Sequence, residues 1–253
     1  MGEHVAPASP KQKRRSNIFW NAVGVIGELL ITLAFVIGLF SVWQLYWTTY
    51  QVSGQVAQTI ASYEETHQPS KRIQGEIRTD DPPAFDREVE DGEVYGIVHV
   101  PTWDWMKIPL AEGTTSYVLD QGWAGHYDMT TQPGGLGNFS VAGHRRTYGN
   151  NFRWIDRLTQ GDKVVVEVDD HYLVYSMVSS EIIDATDPTQ MRVVAPVIDD
   201  VSWSEVPTER WMTMTTCHPE YGNWQRFIVH LKFESWTPKD TGVPAELVDE
   251  PQN

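Results

Sequence analysis

From Leu29 to Trp47 the chain reads LLITLAFVIGLFSVWQLYW, 19 residues without a charge. As a helix at about 1.5 Å per residue this run matches the roughly 30 Å hydrocarbon thickness of a bilayer. It exceeds the apolar core of most signal peptides, and no small-x-small cleavage pattern follows promptly, so it reads as a retained transmembrane helix. Lys11, Lys13, Arg14 and Arg15 precede it, whereas no Lys or Arg follows until Lys71. That asymmetry places residues 1–28 in the cytoplasm and the rest outside. Trp43, Tyr46 and Trp47 suit an outer aromatic belt, and Glu28 is expected at the inner edge.

Residues 48–93 divide in two. Val52, Val56, Ile60 and Tyr63 recur at a spacing near four, which predicts that the helix continues as a stalk to about His67. From Gln68 to Glu93, QPSKRIQGEIRTDDPPAFDREVEDGE is rich in Pro and charge and reads as a linker. Asp81-Pro82-Pro83-Ala84-Phe85 is its candidate lid. Beyond residue 47 there are 15 basic against 32 acidic residues, a net −17, and such a surface repels phosphate backbones, so nucleic acid is excluded as a partner.

One folded domain is expected over residues 94–236, and its pattern is mainly β. Ile97–Val100, Phe139–Ala142, Val164–Val168, Tyr172–Val178, Trp211–Thr216 and Phe227–Phe233 are short β-rich runs bounded by turn residues. Asp169-Asp170 sits between two of them like a hairpin turn, and short helical pieces are expected near 150–160 and 187–194. Residues 237–253, with three prolines and four acids, read as a disordered tail.

Cys217 is the only cysteine, so it has no intramolecular disulfide partner in an oxidising exterior. In TMTTCHPEYG it ends a β-run at a strand-to-loop edge. A thiol used for acyl transfer needs a proton-transfer partner and a positive group near the developing oxyanion. His144 follows Phe139–Gly143, another strand end, and Arg226 opens RFIVHLKF nine residues after Cys217. Strand alternation puts Arg226, Ile228, His230 and Lys232 on one face and Phe227, Val229, Leu231 and Phe233 on the other. His218 adjoins the thiol but should point the other way; His99, His126, His171 and His230 fit ordinary strand or loop positions. With one Cys and no close His-x-His or His-Glu-x-x-His spacing, no zinc or other metal site is expected, and no cofactor is called for.

VAGHRRTYGNNFRWIDRLTQGD and MTMTTCHPEYGNWQRFIV resemble the two signature regions of the sortase family: a Gly-His-Arg segment, then Thr-Leu-x-Thr-Cys, then an Arg shortly downstream. Met214 stands where that pattern has Leu, a mild apolar exchange. The resemblance implies a closed sortase-type β-barrel of about eight strands and a transpeptidase. Cys217 would attack the Thr–Gly carbonyl of a sorting signal such as Leu-Pro-x-Thr-Gly, His144 would protonate the departing amine, and Arg226 would steady substrate and oxyanion. It further implies surface proteins bearing such a signal as partners, with a cell-wall precursor amine or a pilin lysine as acceptor. GHRRTYG and TTCHP look most like class E, associated with Leu-Ala-x-Thr-Gly signals; Tyr127 matches the position that reads the alanine, and Thr215 and Thr216 the substrate-facing residues beside the thiol. YGNWQR has a flavour of the pilin-polymerising class C. A non-enzymatic, membrane-tethered scaffold is the rival reading from outside enzymology.

A thiol and an imidazole of ordinary acidity, about 8.5 and 6.5, form a thiolate–imidazolium pair in only about one per cent of molecules at neutral pH. The expected pH–rate profile is therefore a bell lying between those two values; a flat rate from about pH 6 to 9 would count against the pair.

Overall fold

The structure, a computed structural model, describes residue 2 and residues 14–251. Lys11 and Lys13, two of the basic residues ahead of the apolar run, and the last two residues of the chain lie outside the described residues. The chain divides into two units after Leu45.

In the first unit, helix α1 spans Arg14–Val42, and its stretch Phe19–Val42 is long and apolar enough to cross a membrane. Its side chains have no protein to pack against, as Leu29, Ile31 and Phe35 illustrate. The hydroxyls of Thr32 and Ser41 bond back to the carbonyls of Glu28 and Ile37, which satisfies them without water. This stretch begins ten residues ahead of the expected Leu29, because Phe19–Ile26 are apolar apart from Asn21 and one glycine. Glu28 thus lies within it and not at its edge. The expected last turn, Trp43–Trp47, is a π-helical segment.

The second unit is built on a closed barrel of eight strands: β1 Val94–Val100, β2 Met106–Glu112, β3 Ala124–His126, β4 Gly137–Ala142, β5 Lys163–Val168, β6 His171–Asp184, β7 Arg210–His218 and β8 Gln225–Pro238. Around the barrel they run β1-β2-β3-β4-β7-β8-β6-β5, and β5 closes on β1. The pairs β2–β3 and β4–β7 are parallel; the rest are antiparallel. Alternation selects the inward face: Val164, Val166 and Val168 of β5, Met212 and Met214 of β7 and Val229 and Leu231 of β8 fill one core with Phe139, Phe152 and Trp103. β2 and β3 were not anticipated, since Pro109 interrupts one and the other has three residues. A four-residue helix, α3 (Ser116–Leu119), connects them, and 3-10 turns occupy Ile155–Arg157 and Pro188–Val194.

Three segments expected to hang free are docked. Helix α2 (Thr48–Thr66) buries Val52 and Tyr63, and the Tyr63 hydroxyl meets the carbonyl of Tyr95. The Pro-rich segment bridges β-fashion at Gln74–Val243 and Arg78–Trp236, while Phe85 packs on Tyr95 with ring centroids 5.3 Å apart. Residues 237–251 are ordered: β8 runs on to Pro238, Val243 and Leu247 cover Val165, Tyr172 and Val174, and Glu250 is buried. A composition poor in apolar residues misled here because few anchors suffice: Val243 and Leu247 land on the outward face of β5 and β6, and Phe85 lands on Tyr95 of β1.

Glu250 completes an ionic cluster. The buried His99 ring meets Glu250 at 2.9 Å and Glu167 at 2.8 Å, Lys239 meets Glu167 at 2.8 Å, and Lys107 meets Glu250 at 3.1 Å. Burial opposes charge on His99, but the hydrogen bonds it donates to its two carboxylates outweigh that and raise its pKa. Burial likewise opposes charge on Glu250, yet His99 and Lys107 hold it at about 2; Glu167 is also lowered, by His99 and Lys239 against burial. A raised His value gives stability that is complete below about 6.5 and lost as pH rises through the folded-state value. Lowered Glu values give stability that is complete above about 4.3 and lost on acidification. The thermal midpoint should therefore peak between about pH 4.5 and 6.5, and His99→Gln should flatten its alkaline decline; an unchanged alkaline slope in that variant would remove His99 from the account.

Candidate active site

β4 and β7 lie parallel in the register Ala142↔Thr215, and the Gly143 amide donates to the Thr215 carbonyl at 3.1 Å. Carrying that register on by two residues sets His144 beside Cys217. On the other flank, β8 pairs antiparallel with Cys217 opposite Arg226. Residues opposite one another on paired strands share a face. Because Met212, Met214, Phe227 and Val229 point into the barrel, Thr215, Cys217 and Arg226 point outward, and the half-buried thiol stands between an imidazole strand and a guanidinium strand.

The exit of β4 is tight. A Cβ on Gly143 would lie 2.7–2.9 Å from three atoms of the buried Phe152 ring, so only glycine fits against this wall. The Thr216 hydroxyl donates to the Gly143 carbonyl at 2.6 Å. Thr216 therefore faces inward opposite Phe227 and staples the two strand ends, away from the outward face of Thr215, Cys217 and Arg226. Tyr127 and Thr215 line a pocket on that face, with hydroxyls 2.9 Å apart.

His144 Nε2 lies 2.8 Å from Asp120 Oδ1, and its ring is 5.4 Å from that of Tyr148. With Nε2 engaged, Nδ1 is the nitrogen left for proton transfer. Asp120 escaped sequence reading: it follows the short α3, and only the fold brings it to the histidine 24 positions later. Arg226 Nη1 donates to the carbonyls of Asn223 (2.7 Å) and Gln225 (2.9 Å), which hold the guanidinium beside its own strand start.

His218 is engaged elsewhere. Arg145 Nη1 donates to its Nδ1 at 2.8 Å while Arg145 Nη2 reaches Asp156 at 2.7 Å, and the His218 ring packs 5.8 Å from that of Phe227. Burial and the Arg145 charge lower its pKa, so it stays neutral.

Next to Arg226 opens a pocket of about 220 Å³ walled by Ile183, Val193, Val194 and Ile228, with Tyr127 and Thr215 on its rim. Its outer wall, the turn Pro188–Val194, is pinned to the barrel: Asn138 Nδ2 donates to the carbonyls of Val193 (3.0 Å) and Ala195 (3.1 Å). Burial raises the Tyr127 pKa, so the phenol keeps its proton. The candidate lid is far away. Asp81 pairs with Arg210 at 3.0 Å, at the start of β7, seven residues before Cys217 or about 23 Å of strand, and Pro82 sits by Gly134 and Leu173.

The family model for the sortase domain matches residues 98–234, more than half of the chain. Sortase SrtE1 of Streptomyces coelicolor is 35% identical over 229 residues, 88% of this chain; the chain spans 60% of that relative's length. Sortase SrtE2 of the same organism is 31% identical over 86% of this chain and 84% of its own. Among solved structures, the SrtA sortase of Actinomyces oris is 42% identical with a TM-score of 0.64, covering 70% of this chain and 99% of its own. Sortase E1 of S. coelicolor with a tripeptide in its active site is 39% identical with a TM-score of 0.55, covering 62% and 97%. A family model over more than half of the chain and relatives matched along most of it agree with the closed eight-stranded barrel: this chain belongs to the sortase family of cysteine transpeptidases.

Proposed function

We propose that the protein is a membrane-anchored transpeptidase that cuts a C-terminal sorting signal between Thr and Gly and joins the new acyl end to an amine. The observation that carries this reading is Cys217 paired across the ladder with Arg226, with His144 two residues past the end of the neighbouring strand and an apolar pocket beside Arg226. The Cys217 thiolate adds to the Thr carbonyl, and the resulting oxyanion is met by the Arg226 guanidinium. Collapse breaks the Thr–Gly bond, and imidazolium His144 gives its proton to the leaving amine. The incoming amine then adds to the thioacyl carbonyl, His144 takes its proton, and Cys217 leaves as thiolate. Arg226 works by charge and hydrogen bonds alone, since guanidinium does not deprotonate in this range.

The pocket between Ile183, Val193, Val194 and Ile228 suits the apolar first residue of such a signal. The paired hydroxyls of Tyr127 and Thr215 on its rim suit discrimination at the second, which supports a Leu-Ala-x-Thr-Gly signal and the housekeeping class. Asp81–Phe85, docked by Arg210 and Tyr95, does not serve as a pilin-type lid in this reading. The basic residues ahead of the apolar run favour a cytoplasmic N-terminus and an external barrel, with a cell-wall precursor amine as acceptor.

The test uses the full chain in detergent with matched quenched peptides carrying Leu-Ala-x-Thr-Gly or Leu-Pro-x-Thr-Gly and an amine. Cleavage between Thr and Gly is expected, faster for the alanine peptide and absent in Cys217→Ala; a folded protein that cleaves neither peptide returns the scaffold reading. Arg226→Lys should lower kcat/KM by about 10²-fold, because a point charge does not reproduce the guanidinium fork. Near-normal turnover in that variant would refute the role given to Arg226.

A further inference from the structure

The groups holding His144 do not end at Asp120. Asp120 belongs to the turn Asp120–Gly122, and the loop after His144 runs through Tyr148 and Gly149. These two segments touch: the α-carbon of Gly122 lies 3.6 Å from where a Gly149 Cβ would stand, and a Cβ on Gly122 would lie 3.0 Å from the Tyr148 carbonyl. Both glycines have positive φ, 77° and 94°, which other residues adopt only with strain. Helix α2 lies against this junction. Val52, buried, would be 2.7 Å from a Gly122 Cβ and 3.6 Å from a Gly149 Cβ, and Val56 would be 3.0 Å from the former. Between those valines on the same helix face, Gln55 Nε2 donates to Gln121 Oε1 at 2.6 Å.

We propose that helix α2 is a positioning element of the active site, gripping through Val52, Gln55 and Val56 the two loops that carry Asp120 and His144. The proposal rests on His144 acting as the proton donor. Asp120 fixes the ring through Nε2, Tyr148 flanks the ring, and α2 sets the spacing between the loops that bear them. Both Asp120 and the α2 residues act through His144 and touch no reacting atom. The remainder of α2 is held independently, by Tyr63 on Tyr95 and Glu64 on Lys107 at 2.6 Å, so loosening the Val52 end leaves the helix docked. The geometry matters because a reacting group displaced by about 1 Å can cost about 10²-fold in rate.

The experiment compares the full chain in detergent with Asp120→Asn, Val52→Glu, Gln55→Ala, the pair Asp120→Asn/Val52→Glu, and Gln58→Glu on the exposed side of α2 as control. Three readouts are taken: kcat and KM on the cleaved peptide, the pH dependence of iodoacetamide alkylation of Cys217, and the thermal midpoint. Asp120→Asn should lower kcat about tenfold or more with KM changed less than about twofold, and shift the alkylation profile. Val52→Glu and Gln55→Ala should shift both in the same direction by less, and the pair should be no worse than Asp120→Asn alone, since the residues act through one imidazole. Clamp variants that keep the wild-type kcat and profile, or whose losses merely follow the thermal midpoint, overturn the proposal. A wild-type chain that cleaves no peptide overturns the functional reading instead, while the alkylation profiles still decide whether α2 reaches Cys217 through His144.

Discussion

Because β4 and β7 run parallel and side by side, they leave the barrel at the same end, and whatever follows them opens onto a common edge. A parallel pair demands a long crossover, which here contains β5, β6 and the turn over Val193 and Val194. β8 returns antiparallel to β7, so it begins where β7 ends. Cys217 and Arg226, nine positions apart, are thereby set opposite each other on a backbone ladder, and His144, 73 positions before the thiol, leaves β4 at the same edge two residues beyond the last ladder pair. Strand pairing fixes position more firmly than loop closure does, since every residue of a ladder is tied on two sides. The Thr216–Gly143 hydrogen bond carries that order one step past the last ladder pair, to the residue before the histidine.

The opposite wall of the barrel has another task. Outward positions of β1, β5 and β6 hold His99, Glu167, Tyr172 and Val174, a half-charged, half-apolar face that cannot meet water cheaply. Parts of the chain from either side of the barrel cover it: Arg72, through Glu250, and residues 239–250. A buried ionic cluster contributes little net stability, but removing one member leaves an uncompensated charge, so the cluster specifies which segment docks where. Glu250 receives His99, Lys107 and Arg72 together, which fixes the end of an otherwise irregular segment.

Legibility in the sequence followed physical range. The β5–β6 hairpin, β7, β8 and the two faces of RFIVHLKF could be read because β-branched alternation is a local signal. Cys217, His144 and Arg226 could be read because each sits at a strand end beside a breaker. β2 and β3 were hidden because pairing with neighbours, not propensity, makes Met106–Glu112 and Ala124–His126 strands. Asp120 was hidden because an Asp after one helical turn has no pattern until His144 arrives beside it. The linker and tail were misjudged from average composition, which does not register that Pro82, Phe85, Val243 and Leu247 each land on a prepared surface. Thr216 lies one step of strand alternation from its neighbours Thr215 and Cys217, which share the outward face, a difference that only the strand register reveals.

That same alternation separates the two histidines nearest the thiol. His218 is bonded to Cys217 through the backbone, yet its ring lies with Phe227 and receives a hydrogen bond from Arg145. Arg145 is buried, and its charge is matched by Asp156 alone among the contacts that place it. Burial lowers the His218 pKa, and protonation would also set a second cation against that guanidinium and remove its acceptor. His144, by contrast, has the Asp120 carboxylate at hydrogen-bond distance from Nε2, which fixes the ring's orientation and leaves Nδ1 open. In the proposed reaction the histidine 73 residues away, its ring oriented by Asp120, is therefore the one that moves the proton, and the adjacent one holds Arg145 and the strand end in place.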